Sequence, residues 1–398
     1  MKFRIYFLLF CLSSLFILFP KDAFAQANNV SGSAIDISAV SAVLMEGSTG
    51  EIIFEKDKDK ELVPASITKI MTLTLIFEAL DNGKISLETP VTVSEYAASM
   101  GGSQVFLEPN ETQTVDTMIK CISIASANDA AVAMAEKIAG SEEAFVKKMN
   151  EKAVSLGMKH TQFKNCTGLD DDIQSGHYSS AYDVALMSRE LIMKHPEISN
   201  YSTVWMDQII HKTKKGESEF GLTNTNKLVR FYDGITGLKT GSTSKAKYCL
   251  SASARRDNMD LIAVIMAAPD HKKRFAEAQS LLDYGFANCR IYQDTEITHS
   301  LTKIPLRGGK KDSISPVPQS TFSYLMKNDD DMTTPTRKIS YFEIQKAPVK
   351  KGAPVGNVDY FIKDKKIGSV LLVASEDIPA ANFADYLLAL TKKLFHKM

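Results

Sequence analysis

Ser66 and Lys69 stand three positions apart at the start of an apolar run with helical character. Side chains at i and i+3 share a helix face, so the Lys69 amine can reach the Ser66 hydroxyl one turn away. A serine hydroxyl beside an amine is a nucleophile beside a base. The preceding Pro64 favours a helix start, where free backbone N–H groups and the helix dipole stabilise developing negative charge.

The Ser-x-x-Lys spacing alone does not identify a site, because it recurs along the chain. The other matches are Ser242/Lys245, Ser244/Lys247 and Ser300/Lys303. Further residues with matching chemistry are therefore needed to distinguish the first match from chance.

Ser126 and Asn128 form a second short pattern, at a break between two apolar helical segments. These segments run from Val115 to Ile124 and from Asp129 to Ile138. One interpretation is an ordinary helix junction with Asn128 as a cap. The other is that the pair projects a hydroxyl and an amide into a cleft.

A third pattern, Lys239-Thr240-Gly241, has the extended character of a strand edge. Glycine at its end suits a place where another backbone approaches closely. Two apolar runs, Tyr248 to Ala254 and Leu261 to Ala267, follow with a polar segment between them. They predict two antiparallel strands next to this pattern.

In this order, the three patterns resemble the SxxK, SxN and KTG motifs of penicillin-interacting serine enzymes. Almost all of the chain after residue 25 resembles D-alanyl-D-alanine carboxypeptidases of the low-molecular-mass penicillin-binding proteins. The likeness includes Gly101-Gly102-Ser103, Gly168-Leu169-Asp170 and the segment from His177 to Asp183. It implies a serine peptidase that removes the terminal D-alanine from peptidoglycan stem peptides through an acyl-enzyme, and that β-lactams such as penicillin inhibit by acylation.

The resemblance also implies roles for individual residues. Ser66 is the expected nucleophile, Lys69 the base that takes its proton, and Ser126 the relay to the leaving D-alanine. Lys69 must be neutral for this role, so we expect burial or a second cation such as Lys239 to lower its pKa. The backbone N–H groups of Ser66 and Ser242 are the expected oxyanion hole. The expected substrate-binding residues are Asn128, Lys239, Thr240, Gly241, Ser242, Thr243 and Arg274.

The expected roles of two of these residues, Ser242 and Arg274, are less certain to transfer from the family to this chain. Ser242 stands where some family members have histidine, so fine pH dependence and carboxylate contacts do not transfer directly. Hydroxyl donors at Ser242 and Thr243 can serve instead. Arg274 opens a predicted helix after the strands, and is either a helper for the substrate carboxylate or a surface arginine.

Residues 1–25 are predicted to be a secretory signal. Lys2 and Arg4 precede the apolar run Ile5 to Phe19, and Ala23-Phe24-Ala25 offers small residues for cleavage. An uncleaved anchor is the alternative, although the run is shorter than the ~20 residues of a spanning helix. Residues 26–34 are polar and are interpreted as a linker.

Composition excludes several functions and leaves others open. The 398 residues include 47 basic and 47 acidic side chains, so no strong field indicates nucleic acid as a partner. The histidines lack metal-ligand spacing, so we expect no metal and no cofactor. The expected state of the cysteines is a buried free thiol, although export permits a disulfide; they are Cys121, Cys166, Cys249 and Cys289.

The predicted architecture is α+β. Residues 35–288 are expected to form a penicillin-binding/β-lactamase-like domain, an antiparallel sheet with a helical cluster, in which the acidic residues 170–172 make a solvated turn. Residues 289–376 are predicted to form a small all-β domain, and residues 377–398 are predicted to form an amphipathic helix. That helix is too short to span a bilayer but suits its surface, with one apolar face formed by Phe383, Leu387, Leu390 and Leu394. We therefore expect an exported protein at the outer face of the bacterial cytoplasmic membrane, held peripherally by this helix.

Three other functions compete with the carboxypeptidase interpretation. A class A β-lactamase would need an ExxLN segment between Asn128 and Lys239, and Glu197 to Asn200 has the wrong spacing. A DD-endopeptidase that acts on crosslinked peptides fits the same residues. A non-catalytic penicillin-binding wall protein is disfavoured by the intact Ser66 and Lys69. The sequence does not define the oligomeric state.

Overall fold

The computed structural model describes residues 35–170, 175–214, 216–327, 333–343 and 346–395. The expected signal at 1–25 and linker at 26–34 lie outside the described residues. From Ile37 onward the chain forms one compact unit.

The elements of the first domain follow the chain from residue 41 to residue 288. They are β1 (Ser41–Glu46), β2 (Ile52–Lys56), α1 (Lys69–Asp81), β3 (Pro90–Thr92), α2 (Glu95–Ala98), β4 (Thr112–Thr114), α3 (Val115–Ile124), α4 (Asn128–Ala139), α5 (Glu142–Ser155), α6 (Ala181–Lys194), α7 (Ser199–Ser202), β5 (Met206–Thr213), β6 (Gly216–Thr223), β7 (Ile235–Thr243), β8 (Lys247–Arg256), β9 (Met259–Ala268) and α8 (Lys273–Asn288). Short 3-10 turns occupy Ala65–Thr68, Pro196–Ile198 and Lys227–Arg230.

The elements of the second domain are almost all strands. They are β10 (Cys289–Gln293), β11 (Ile304–Pro305), β12 (Ser313–Ile314), β13 (Pro316–Pro318), β14 (Ser323–Lys327), β15 (Thr336–Tyr341), β16 (Pro354–Ile362) and β17 (Lys365–Ala374), with a 3-10 turn at Ile297–Ser300. The helix α9 (Phe383–Phe395) follows them.

The central sheet of the first domain is antiparallel, with the strand order β2-β1-β9-β8-β7. Its inner strands have apolar residues at nearly every position, because both faces of the sheet are covered. On β9, Ile262 and Val264 belong to the core that the helical cluster shares. Leu261 points the other way, so close to α8 that a side chain at Gly285 would touch it. Strand β7 lies at the edge of this sheet and faces the Ala65–Thr68 turn.

The helical cluster packs α1, α3, α4, α5 and α6 around one apolar core. Helix α1 is buried along most of its length and so has no polar face. Helix α3 shows how the sequence sets a start point, because the Thr114 side chain accepts a hydrogen bond from Thr117 N at its N-terminus. A long buried helix gives the residues at its N-terminus a fixed position relative to the sheet.

The second domain has its own apolar core. Its main sheet has the order β13-β17-β16-β15. The rings of Phe322 and Tyr360 stack at 3.7 Å, and Tyr360 donates its hydroxyl to Asp294 Oδ2 at 3.0 Å. Arg337 Nη1 donates to both oxygens of the same carboxylate at 2.7 and 2.8 Å. Asp294 therefore ties β10 to the main sheet.

The α+β architecture with a following β domain is confirmed. The helix predicted from Val115 to Ile124 has those bounds, and the two apolar runs after Lys239 form the paired strands β8 and β9. The structure adds a hairpin, β5 with β6, that the sequence analysis did not anticipate. Among the described residues, Cys121, Cys166, Cys249 and Cys289 are buried free thiols, as expected.

Candidate active site

Ser66 lies in the 3-10 turn Ala65–Thr68, and Lys69 is the first residue of α1. Ser66 is partly exposed, whereas Lys69 is fully buried. Lys69 Nζ lies 3.1 Å from Ser66 Oγ. It also donates to Asn128 Oδ1 at 2.5 Å and to the Thr167 carbonyl at 2.7 Å.

These contacts suit Lys69 as a base. Burial lowers the pKa of Lys69 to about 7, because a buried ammonium loses its hydration. A neutral amine has two N–H groups and one lone pair. When the two N–H groups donate hydrogen bonds to the Asn128 and Thr167 oxygens, the lone pair faces Ser66 Oγ. Of the two causes that the sequence analysis offered, burial is the main one for Lys69.

Ser126 lies between α3 and α4 with a left-handed backbone, φ +64°. Such a backbone is uncommon outside glycine and often marks a functional position. Its hydroxyl is buried and makes no hydrogen bond with any residue that the structure describes. A buried hydroxyl without a partner is costly, and this observation is consistent with the expected contact between Ser126 and a substrate.

Asn128 does not cap its helix, since the N-cap of α4 is Ala127 without a side-chain bond. Its amide is buried in the cleft instead. Oδ1 accepts from Lys69, and Nδ2 donates to the Gly101 carbonyl at 2.7 Å. Both ends of the amide are thus bound within the protein, and its contact with substrate stays a prediction.

Strand β7 brings the third motif against the Ser66 turn. A Cβ at Gly241 would lie 2.7 Å from the Pro64 carbonyl and 3.1 Å from Ser66 N. Only glycine permits this approach, as the sequence pattern predicted. The close approach supports the expectation that the Ser66 and Ser242 N–H groups face one oxyanion.

Lys239 is buried beside this contact, and Nζ donates to the Thr240 carbonyl at 3.1 Å. Burial, followed by the positive charges of Lys69 and Arg274, lowers the pKa of Lys239 well below its usual value. The site therefore holds a second buried amine, whose charged form is disfavoured by the same surroundings. Thr240 Oγ1 donates to Thr225 Oγ1 at 2.7 Å, so its hydroxyl already has a partner.

Ser242 and Thr243 differ in their surroundings. The Ser242 side chain is exposed at the end of the motif. Thr243 Oγ1 donates to Asp170 Oδ2 at 2.7 Å. Asp170 is only 5% exposed, so its predicted place in a solvated turn is wrong. Asp171 and Asp172 lie outside the described residues.

Arg274 is not a surface arginine. It is partly buried near the start of α8, and Nη1 donates to the Gly241 carbonyl at 3.1 Å. The guanidinium also lies over the ring of Phe275, 4.8 Å from its centroid. Arg274 therefore adds positive charge directly behind the Lys-Thr-Gly strand.

The loop from Lys164 to Asp170 holds parts of the site that the motifs did not reveal. A Cβ at Gly168, which has φ +82°, would lie 1.8 Å from the Ala65 carbonyl, so this loop touches the Ser66 turn. Thr68 Oγ1 lies 2.9 Å from His177 Nε2. His177 Nδ1 accepts from Lys164 N at 3.2 Å. The Gly168 and His177 segments were noticed only as family resemblance, and Thr167 acts through a backbone carbonyl that no side-chain pattern can reveal.

Comparison with known proteins agrees with this geometry. The family model described as D-alanyl-D-alanine carboxypeptidase matches residues 26–270. The chain belongs to the D-alanyl-D-alanine carboxypeptidase family. A second model, the C-terminal domain of penicillin-binding protein 5, matches residues 288–380.

Individual relatives of this carboxypeptidase cover nearly its whole length. The D-alanyl-D-alanine carboxypeptidase DacF of Bacillus subtilis is 44% identical over 375 residues, which are 93% of this chain and 94% of the relative. Penicillin-binding protein 5 from Haemophilus influenzae has a TM-score of 0.71 at 31% identity, over 87% of this chain and 99% of that one. The ampicillin-bound penicillin-binding protein D2 from Listeria monocytogenes has a TM-score of 0.54 at 31% identity, over 64% and 100%.

In this carboxypeptidase, the first Ser-x-x-Lys match differs physically from the others. Ser66 and Lys69 occupy consecutive helical turns, and their side chains meet. Ser242 lies on β7, and Lys245 Nζ donates to the Asp170 carbonyl at 2.9 Å. Lys245 lies in the turn after β7 ends at Thr243, so this later match does not lie on one face of a helix.

Proposed function

We propose that the chain removes the terminal D-alanine from peptidoglycan stem peptides with Ser66 as nucleophile and Lys69 as base. The observation that carries this proposal is the 3.1 Å separation of Lys69 Nζ from Ser66 Oγ. Burial gives this amine a pKa of about 7, which makes the neutral form available near physiological pH. The stem peptide is the substrate class of the family to which the chain belongs.

In the proposed acylation step, Ser66 Oγ attacks the carbonyl carbon between the two D-alanines while Lys69 Nζ takes its proton. The backbone N–H groups of Ser66 and Ser242 stabilise the oxyanion; loss of one such donor typically costs ~10²–10³ in rate. The C–N bond then breaks, and the Ser126 hydroxyl gives a proton to the leaving D-alanine. The proton held by Lys69 restores that hydroxyl.

Substrate orientation depends on the positive side of the site. The terminal carboxylate of the peptide is placed against Thr240, Ser242 and Thr243, with Lys239 and Arg274 behind them. Arg274 is partly buried, so its charge is only weakly screened by solvent, whereas Lys239 gains its charged form when the substrate carboxylate lies beside it. A water molecule then hydrolyses the ester, with Lys69 as base, which releases the shortened peptide and frees Ser66. We place the peptide chain beside Asn128.

The same nucleophile would react with β-lactams. The ampicillin-bound Listeria relative supports this part of the proposal. Attack by Ser66 on the lactam carbonyl opens the ring and leaves a covalent ester, with no separate leaving group to diffuse away. β-Lactams are therefore proposed inhibitors of this enzyme.

Free D-alanine released from a peptide that ends in D-Ala-D-Ala tests the function. We expect release by the wild type, none by Ser66→Ala, and no labelling of that variant by fluorescent penicillin. Ser155→Ala, at the exposed C-terminal end of α5, is the matched control and should retain both properties. Labelling of Ser66→Ala at another residue would refute the assignment of the nucleophile.

The β-lactamase and endopeptidase alternatives have distinct outcomes in related assays. Many rapid turnovers of nitrocefin would favour a β-lactamase. Cleavage of a crosslinked dimer faster than a pentapeptide would favour an endopeptidase. Binding of penicillin without any D-alanine release would indicate the non-catalytic wall protein.

The proposed location is the outer face of the cytoplasmic membrane. The family model begins at residue 26, which supports a signal at 1–25. The paired family matches support domain bounds near 35–288 and 289–376. In the described part of the chain, none of the helices combines the length and the apolar character needed to cross a bilayer.

Helix α9 is the proposed membrane contact. Phe383 is 83% exposed, and Leu387 and Leu388 are more than half exposed. The side chains of Leu390 and Leu394, expected on the same face, lie outside the described residues. Truncation before Phe383 should release the protein from sedimenting lipid vesicles; unchanged sedimentation would reject this role for residues 377–398.

A further inference from the structure

The loop from Lys164 to Asp170 contacts the start of α1 with successive backbone carbonyls. The Cys166 carbonyl accepts a hydrogen bond from Thr72 Oγ1 at 2.6 Å. The next carbonyl, that of Thr167, accepts from Lys69 Nζ at 2.7 Å. Thr72 and Lys69 are three positions apart on the helix, so the loop follows one face of it.

Gly168 continues this contact into the turn that carries the nucleophile. A Cβ on Gly168 would lie 1.8 Å from the Ala65 carbonyl oxygen and 2.8 Å from Thr68 Oγ1. Ala65, which precedes Ser66, has a left-handed backbone with φ +47°. Outside glycine, such a backbone persists only where the surrounding structure holds it. The same loop therefore supports both the nucleophile turn and the base.

Asn165 gives this loop its shape through three hydrogen bonds from one side chain. Its Oδ1 accepts from Gly168 N at 2.7 Å and from Thr167 N at 3.3 Å. Its Nδ2 donates to the Leu169 carbonyl at 2.7 Å. Because these bonds reach three successive residues, they fix the backbone on both sides of the Thr167 carbonyl.

One peptide group connects Asn165 to the base. The Thr167 carbonyl and the Gly168 N–H belong to the same planar group. Its N–H donates to Asn165 Oδ1, and its oxygen accepts from Lys69 Nζ. Since the group is planar, holding the N–H toward Asn165 also holds the oxygen toward Lys69. Hydrogen bonds in such a chain polarise one another, which strengthens the carbonyl as an acceptor.

We propose that Asn165 is a positioning residue, which orients Lys69 through the peptide group between Thr167 and Gly168. The inference rests on the proposed function and deepens it, since it assigns the side chain that keeps the base in line with Ser66. None of the three sequence motifs contains Asn165.

Loss of the Asn165 side chain frees this peptide group to rotate. Lys69 then loses an acceptor that holds one of its N–H groups away from Ser66. With only the Asn128 bond left, the amine turns about its own axis, and its lone pair faces Ser66 Oγ for part of the time. A displacement of about 1 Å in a reacting group can cost about 10²-fold in rate.

Acylation of Asn165→Ala by fluorescent penicillin tests the proposal. The rate is measured against penicillin concentration, which separates noncovalent binding from the first-order acylation step. We expect the acylation rate constant to fall about tenfold or more, while the noncovalent dissociation constant changes little. The assay is run at about pH 9, where Lys69, whose pKa is about 7, is neutral. The comparison then reports the orientation of the amine and not its protonation.

Asn150→Ala is the matched control. Asn150 Nδ2 donates to the Val146 and Phe163 carbonyls, both at 3.0 Å, and its Oδ1 accepts from Phe163 N at 2.9 Å. This variant therefore loses the same number of bonds to backbone just before the same loop, without touching the Thr167–Gly168 peptide group. It should lose thermal stability and keep the wild-type acylation rate constant.

Two further variants separate the hydrogen bonds of Asn165 from its packing. A serine hydroxyl can accept from a backbone N–H two or three residues further on, so Asn165→Ser should stay within about threefold of the wild-type rate constant. Asn165→Leu keeps the branched shape without hydrogen-bonding atoms and should be as slow as Asn165→Ala. Circular dichroism and thermal unfolding establish that each variant is folded, and the leucine variant decides the test where the alanine variant is not.

The outcomes separate this inference from the function on which it rests. A wild-type acylation rate constant in folded Asn165→Ala or Asn165→Leu would overturn the positioning role and leave the carboxypeptidase intact. An equal loss in Asn150→Ala would also overturn it, because the effect would then follow loop stability. If the wild type neither reacts with penicillin nor releases D-alanine, the proposed function is rejected and the role of Asn165 falls with it.

Discussion

Asn128 Oδ1 accepts a hydrogen bond from Lys69 Nζ at 2.5 Å, so the second sequence motif holds the base of the first. The Thr167 carbonyl accepts a second bond from the same nitrogen at 2.7 Å. Because two hydrogen bonds fix the orientation of the amine, the lone pair of the neutral form points toward Ser66 Oγ. In the proposed mechanism, the protonation state of Lys69 therefore controls attack by Ser66.

Acylation should depend on pH through Lys69. Its pKa is lowered to about 7 by burial, and only the neutral amine can take the Ser66 proton. We expect the second-order rate of acylation by fluorescent penicillin to rise about tenfold per pH unit below about 7 and to level off above it. Stopped-flow or quench measurements from about pH 5 to pH 9 check this. A rate that is flat below pH 7 would contradict the assignment of the base.

Asn128→Asp should move this profile to higher pH. The substitution places a carboxylate against Lys69 Nζ, which stabilises the ammonium and raises its pKa. At pH 7 we expect acylation to fall about tenfold or more, with substantial recovery near pH 9. Asn200→Asp, at an exposed position of α7, is the control and should keep the wild-type profile. A uniform loss at every pH would instead indicate a structural role for Asn128.

The sequence predicts the parts of this fold whose signal is local. The bounds of α3 agree with the apolar periodicity from Val115 to Ile124, because its buried face repeats with the helix turn. The β5–β6 hairpin was missed because most positions of β6 are exposed, so few apolar residues mark that strand. Elements without a regular buried face have little local signal.

The motif residues of the site could be predicted, but their supports could not. Ser66, Lys69 and Asn128 meet in the structure, as the family resemblance of the three motifs implied. In the sequence, Asp170 is one of a run of acidic residues, which is typical of an exposed turn. Its burial is explained by a hydrogen bond from Thr243, which is far from it in sequence. Such partners are set by tertiary packing, which no local pattern contains.

Gly241→Ala should separate β7 from the nucleophile turn. The new Cβ would lie 2.7 Å from the Pro64 carbonyl oxygen and 3.1 Å from Ser66 N, well inside contact distance. Both of these atoms belong to the backbone and cannot move aside as a side chain could. We expect lower thermal stability and a loss of acylation of about tenfold or more, because the oxyanion donors move apart. Gly221→Ala on β6 is the control, since a Cβ there meets nothing within 4 Å. Full activity in Gly241→Ala would show that the strand can shift without affecting the site.

His177 should make stability fall in mild acid. Nδ1 accepts from Lys164 N and Nε2 faces Thr68 Oγ1, so the buried ring is neutral. Burial lowers its pKa to about 4, whereas the unfolded chain binds the proton near the ordinary value of 6.5. Between these values the unfolded state holds more protons, so the free energy of unfolding decreases as pH falls from about 6.5 to about 4.

The size of this effect follows from the two pKa values. At about 1.4 kcal/mol per pKa unit, His177 accounts for about 3 kcal/mol of stability above pH 6.5, and this contribution is lost by about pH 4. Urea unfolding of the wild type and of His177→Gln at about pH 7, 5.5 and 4.5 checks it. The glutamine cannot titrate, so the variant should lose less stability in acid, while shared carboxylates affect both proteins equally. Parallel losses in the two proteins would mean that His177 is protonated in the folded state.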